Sequence, residues 1–264
     1  MFEDSFMQVA LIVGTLAAGL CAYLGNFILL KKMTFISIAL AEIAALGVAL
    51  GFLLNISPNT VSLMATILGI LFFWFRSKKL TTPHESIIGL IYAVSAALGI
   101  LLIARNPLME STGIDLISGN LLYCNYADIW NMVIIVIIIS IVHIIFYKEF
   151  IFISFDRETA QAEGLKTGFY DFVLMLTIGL CISFCMKLTG VLFVFASMII
   201  PGLITLNLFK KVSYIIFSSI IIAALCVVLG ISASYKFDLP TSPSIICFYG
   251  IFYLFSQIGK KLST

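Results

Sequence analysis

The sequence predicts an all-α fold: a polytopic transmembrane helical bundle of about eight to nine spans, built as a single membrane domain over residues 1–264. Three observations predict it. Hydrophobic residues make up 62% of the chain and charged ones 11%, with a mean hydropathy of +1.17, far from the balance of a soluble domain. The apolar residues form runs close to the ~20 residues a helix needs to cross the hydrocarbon core. The charges collect at the joins. The alternation of membrane barrel strands is absent, so the backbone polar groups must be satisfied inside helices.

The first apolar run covers roughly 6–29. Few residues precede it and no small-residue cleavage site follows a short apolar core, so it is expected to be a membrane helix rather than a removed leader. Lys31 and Lys32 follow it. The second run, 34–54, carries Gly47 and Gly51 four apart, a spacing that lets membrane helices approach closely. A shorter third run, 60–75, is followed by Arg76, Lys78 and Lys79. The fourth, 86–104, repeats the small-residue spacing at Ser95 and Gly99. Arg105 to Asp128 forms an outer segment whose apolar stretch, Ile114 to Tyr123, is too short to span. It reads as filler, as an interfacial or re-entrant piece, or as a docking surface. The fifth run, 128–147, ends at Lys148. Runs at 169–187, 190–209, 212–234 and 242–258 complete the bundle, with Lys210 and Lys211 after the seventh and Lys260 and Lys261 after the ninth.

With nine crossings, these basic joins all fall on one side, and the other side receives only Arg105, Lys187 and Lys236. The positive-inside rule then puts the N-terminus outside and the C-terminus in the cytoplasm of a multi-pass protein of the cytoplasmic membrane, surrounded by lipid. A net charge of +2 is too small to point to nucleic acid. Six scattered cysteines are no disulfide framework. Cys181 and Cys185 share a helix face, which suits packing or a soft metal.

Four features stand out against the apolar background. The first is the mid-chain excursion Phe155-Asp156-Arg157-Glu158-Thr159-Ala160-Gln161-Ala162-Glu163-Gly164. Asp156 suits an N-cap and Gly164 a C′ position with positive φ, so the segment reads as two turns of helix braced by the bundle or a partner, or else as a plain cytoplasmic loop. The second is Glu42, two turns into an otherwise apolar helix. An acid there costs on the order of 3 kcal/mol and should face the bundle interior, as an ion-path residue or as a protonated structural group. The third is Pro201, which removes one hydrogen bond and frees the carbonyl of Ser197, for a fixed or a moving kink. The fourth is Asp238, in the outer turn Phe237-Asp238-Leu239-Pro240, where Asp and Pro are also ordinary turn residues.

No Gly-rich phosphate loop ending in Gly-Lys-Ser/Thr is present, so the chain has no such route to ATP hydrolysis. His84-Glu85 lacks the second His of a zinc protease motif, and no Gly-x-Ser-x-Gly elbow occurs.

Over nearly its full length the chain resembles the membrane permease subunit of ABC-type importers for divalent metals, the zinc and manganese uptake family. The residues that carry the resemblance are Lys31-Lys32-Met33-Thr34-Phe35 with Ala39-Leu40-Ala41 and Leu46-Gly47-Val48-Ala49; Asp115-Leu116 with Ser118-Gly119-Asn120-Leu121-Leu122; Phe155-Asp156 with Ala160 and Gly164-Leu165; Lys187-Leu188-Thr189-Gly190; Ile199-Ile200-Pro201; and Asp238-Leu239-Pro240 with Pro243-Ser244.

The resemblance implies that the Asp156–Gly164 helix docks on a separate ABC ATPase and that the outer loops receive an extracytoplasmic metal-binding protein. It also implies that two copies of the permease enclose the pathway. The divalent metal (zinc, manganese or iron) is then transported substrate and not a permanently bound cofactor. One departure matters. The family usually carries an Asp and, one helical turn later, a His in its second helix; here those positions are Ile38 and Glu42. Losing the imidazole tilts such a site toward harder ions such as manganese or iron(II). The competing expectation is an autonomous secondary transporter or channel for a small ion, which needs several ionisable groups within the spans.

Overall fold

The computed structural model describes residues 5–76, 84–104 and 121–263, and among them there is no β-strand. The helices in order are α1 (Ser5–Leu30), α2 (Thr34–Leu53), α3 (Pro58–Arg76) and α4 (His84–Ala104), then a 3₁₀ turn (Leu121–Tyr123). They continue with α5 (Tyr126–Ile145), α6 (Tyr147–Phe155), α7 (Arg157–Ala162), α8 (Thr167–Thr189), α9 (Val191–Leu208), α10 (Val212–Phe237) and α11 (Thr241–Ser263). Among the described residues, 8 helices, α1 to α5 and α8 to α10, are long and apolar enough to cross a membrane. The less apolar α11 packs along α9 and α10. The outer stretch from Ile114 to Asn120, with Arg105, Lys78 and Lys79, lies outside the described residues.

Burial grades from the centre outward. α1, α8 and α9 form the middle, with α10 and α11 closing one flank and α2, α3 and α4 the other. α4 packs chiefly on α2 and leaves Leu90, Ile100 and Leu101 exposed; α5 does the same with Trp130, Ile137 and Ile144. A water-facing surface of this kind would be an aggregation liability, whereas lipid tails are as apolar as leucine.

Close backbone approaches fix the seams. A Cβ at Gly25 of α1 would lie 1.7 Å from the Met198 carbonyl oxygen of α9, so only glycine lets the two backbones touch. Gly47 lies against Ser62 of α3, and Gly51 against Pro58, as their spacing predicts. Gly99 differs: it and Ser95 are buried, yet nothing among the described residues lies within 4 Å of a Cβ there.

Several helix ends share one device. Lys32, Asn55, Gly164 and Asp238 all adopt positive φ just past a helix. At all four, reversed hydrogen bonds satisfy late carbonyls, as in Met33 N–H to Ile28 O at 3.0 Å and Leu239 N–H to Ser234 O at 3.1 Å.

One stretch departs from the sequence expectation. A single helix over 128–147 followed by a polar excursion is expected, but the chain breaks at Phe146 (φ −108, ψ 22) and α6 follows. Aromatic packing explains the turn. Phe150 is fully buried and its ring stands 4.8 Å from His143, 6.0 Å from Phe146 and 6.4 Å from Phe27. A straight continuation of α5 would carry Phe150 away from Phe27.

Candidate permeation and coupling sites

The mid-chain excursion is a capped helix. The Asp156 side chain accepts from the Thr159 N–H at 3.0 Å and from the Thr159 hydroxyl at 2.5 Å. Those two bonds, hydroxyl first, hold the Asp156 carboxyl below its ordinary range. At the other end Gly164 takes φ +86, with Gly164 N–H bonded to Gln161 O at 3.1 Å and Leu165 N–H to Ala160 O at 3.1 Å. Both bonds of the Schellman motif are present. Ala160 alone among the residues of α7 is buried, while Arg157, Glu158 and Phe155 beside them are exposed. Phe155 also lines an open groove of about 500 Å³ with Tyr147, Lys148, Ile151, Phe152, Val212 and Ser213.

Sequence reasoning missed what ties α7 to the spans. Asp171, in the first turns of α8, bonds Lys31 through one carboxylate oxygen and the Arg157 guanidinium through the other at 3.1 Å. Asp171 and Lys31 are each 8% exposed and Arg157 is 48% exposed. Burial pulls the Lys31 ammonium below the ordinary lysine value, and Asp171 opposes that shift. The end of α1, the start of α8 and the start of α7 therefore meet on one carboxylate. Trp74 of α3 adds a further tie, donating from Nε1 to Gly168 O at 3.0 Å. A sequence signal did exist: an acid just inside a span, in a chain whose basic joins share a side.

Glu42 lies on α2 and is half-buried; among the described residues no side chain hydrogen-bonds or ion-pairs with it. At 100° per residue, Phe35, Ile38, Glu42, Ala45 and Leu46 fall on one face, all half-buried or exposed. The Gly47 and Gly51 seam with α3 lies on the other side of the helix. Asp238 is far less enclosed. It is exposed and left-handed (φ 53, ψ 46), and it closes α10 while the Ser234 hydroxyl bonds Leu239 O. Among the described residues, neither α10 nor α11 packs substantially on α2, so the fold keeps the two acids on separate elements.

Ser197 and Pro201 are buried in α9, which runs through the proline. Ser197 Oγ meets Tyr249 Oη of α11 at 3.2 Å, and the Thr205 hydroxyl bonds the carbonyls of Pro201 and Gly202 at 3.2 and 3.0 Å. At the end opposite Lys31, Ser242 donates to Thr189 O at 2.9 Å. A cleft at that end is lined by Asn59, Asp128, Asn131, Ser183 and Lys187.

A helical bundle with lipid-compatible walls, a braced polar helix at one end and an acid on a half-covered helix face describes a multi-span membrane protein. The family follows from comparison: the model of the ABC 3 transport family matches residues 3–260, and the chain belongs to that family. As a member it is a transport subunit of the membrane and not an enzyme. It is 28% identical to the manganese transport system membrane protein of Listeria monocytogenes over 93% of this chain and 88% of that one. It is also 28% identical to the high-affinity zinc uptake system membrane protein of Haemophilus influenzae, over 99% of each. Among solved structures, PsaBC from Streptococcus pneumoniae in complex with Fab superimposes with a TM-score of 0.87 at 25% identity, covering 96% of this chain and 91% of that one.

Proposed function

We propose that the chain is the permease subunit of an ABC importer that brings divalent metal cations, manganese, zinc or iron(II), across the cytoplasmic membrane. In this reading two copies enclose the pathway, and separate ATPase subunits dock at the end bearing α7, which is cytoplasmic. A metal-loaded binding protein delivers at the opposite end. The N-terminus is then outside and the C-terminus inside, in line with the basic joins.

The observation that carries the reading is α7. Six residues of helix are too short to hold alone. Here both ends are capped, Ala160 is anchored, and Arg157 is tied to Asp171, while the outward residues are left for a partner. An element fixed at its base and exposed at its crest can pass a push from an ATPase into α8 and α1. Phe155 and the adjoining groove offer that ATPase an apolar anchor.

Glu42 is the proposed pathway residue. A carboxylate within a span needs a pair, a proton or hydration. On one chain its face is only half covered, which a second copy of α2 would complete. Oxygen ligands suit manganese and iron(II), and Ile38 supplies none. Asp238 sits at the outer mouth as a weaker contact, and the Ser197–Pro201 turn of α9 is the proposed flexible point. Transport then requires that outward and inward states differ in metal affinity.

The test is gentle detergent purification of the tagged chain with mass spectrometry of its companions, beside a variant with residues 156–163 scrambled. An ATPase that accompanies the native chain and not the variant supports the reading. A folded native chain that brings none down turns the assignment toward an autonomous transporter. For Glu42→Ala, metal uptake in cells should fall at least tenfold while the ATPase still copurifies; normal uptake removes Glu42 from the mechanism.

A further inference from the structure

The bundle core holds a second group of metal-ligating side chains, remote from Glu42 in character. Cys21 of α1 and Cys181 and Cys185 of α8 converge, although 160 residues separate Cys21 from Cys181. Cys21 Sγ lies 3.7 Å from Cys181 Sγ, which lies 3.8 Å from Cys185 Sγ, and all three sulfurs fall within 4.8 Å of one another. Each is fully buried and none is in a disulfide.

The spacing matches a shared ion. With metal–sulfur bonds of about 2.3 Å, three sulfurs around one ion stand about 4.0 Å apart in a plane and about 3.8 Å apart on a tetrahedron. Among the described residues no further His, Cys, Asp or Glu joins the group, so a fourth protein ligand of the usual kinds is absent. Structural zinc sites take four ligands. Soft thiols without oxygen or nitrogen disfavour manganese, iron held by sulfur takes four ligands as zinc does, and three sulfurs suit a soft d¹⁰ ion content with low coordination. Charge decides further. Deep in a low-dielectric core a site is favoured when entry of the ion leaves it neutral. One monovalent ion that displaces one thiol proton, leaving a thiolate and two thiols as ligands, satisfies that balance.

We infer that Cys21, Cys181 and Cys185 form a three-sulfur site for copper(I), separate from the transport pathway. Occupancy ties α1 to α8, the two helices whose ends also meet at Asp171. The cargo proposed above plays no part in this assignment, so its failure would leave the site untouched.

The experiment is anaerobic titration of the purified full chain, in detergent with its thiols reduced, with copper(I) held by bicinchoninate. The expected result is withdrawal of one copper(I) per chain, X-ray absorption showing sulfur as the only ligand type, and at least tenfold weaker retention in Cys181→Ser. Cys247→Ser, which changes an exposed thiol on α11, should bind as the native chain does. Should Cys181→Ser fold poorly, alkylation of the native chain gives a second reading. Copper(I) should slow the alkylation of Cys21, Cys181 and Cys185 by iodoacetamide through openings of the folded chain, and leave that of Cys124 and Cys247 unchanged. Three outcomes overturn the assignment: no copper taken up by a monodisperse native chain, equal retention by native and Cys181→Ser chains, or tighter retention of zinc(II) than of copper(I) by the same thiols.

Discussion

Asp171→Asn tests the ionic tie at the coupling end. The change keeps size and shape and removes the charge that serves two cations. Lys31 is 8% exposed and loses its only carboxylate among the described residues. Breaking a buried pair in this way costs roughly 3–5 kcal/mol. Arg157 is 48% exposed, so its share is screened and adds less than about 1 kcal/mol. An asparagine oxygen can still accept one bond, which places the net loss near 3 kcal/mol. At 1.36 kcal/mol per decade that is more than a hundredfold in the folded-to-unfolded ratio.

Titration with a denaturing detergent, followed by tryptophan fluorescence, measures that loss. Arg157→Gln in the same assay should cost less than about 1 kcal/mol. Equal losses for the two, or a loss below about 0.5 kcal/mol for Asp171→Asn, would refute the reasoning. A pH arm sharpens it. The Lys31 pKa is lowered in the fold from an ordinary 10.5. The unfolded chain therefore holds a proton that the folded chain has released, and stability rises as pH climbs toward 10.5. Removing Asp171 lowers that pKa further, so the deficit of Asp171→Asn should shrink as pH approaches 10, where a neutral amine is buried at less cost.

Two further outcomes follow from the geometry. Gly25→Ala places a methyl against the Met198 backbone and should cost at least about 3 kcal/mol, whereas Gly99→Ala meets open space and should change stability by less than about 1 kcal/mol; comparing their thermal midpoints in detergent checks both. Asp156 keeps its cap while ionised, and because its folded pKa is depressed below 3.8, the stability it lends is present above that value and disappears as pH falls through the lower folded one. Amide exchange of Thr159 should stay slow from pH 7 to about 4, and Asp156→Ala should make it fast throughout.

What the sequence made legible was whatever depends on local runs. Spans follow from apolar length, so α1 to α5 and α8 to α11 lie within a few residues of expectation. The cap and stop of α7 follow from Asp156 and Gly164, whose requirements are local. The missing parts depend on residues far apart in the chain. Asp171 shows in the sequence only as an acid just inside a span, and its role appears when Lys31 is placed beside it from 140 residues away. Cys181 and Cys185 share a face, but only the fold delivers Cys21 to it. The end of α5 was legible at Lys148, but α6 was not, because what turns the chain into it is the packing of Phe150 on Phe27 and His143.

The glycine seams have a consequence for how such a bundle can move. At Gly25 against Met198, and again at Gly230 against Ile245, backbone meets backbone, so α1 cannot slide on α9, nor α10 on α11, without collision. Gly47 and Gly51 weld α2 to α3 in the same manner. Packing of α1 on α10 and of α9 on α11 joins those pairs into one plate, and α2 with α3 makes the other. Between them stand α8, which packs on α1, α2, α3 and α9, and the side-chain contact of α2 with α9. Shear has nowhere else to go. A displacement of a few ångströms delivered to the start of α8 would tilt one plate against the other as a door turns on its post, and the half-covered face of α2 is the edge of that door.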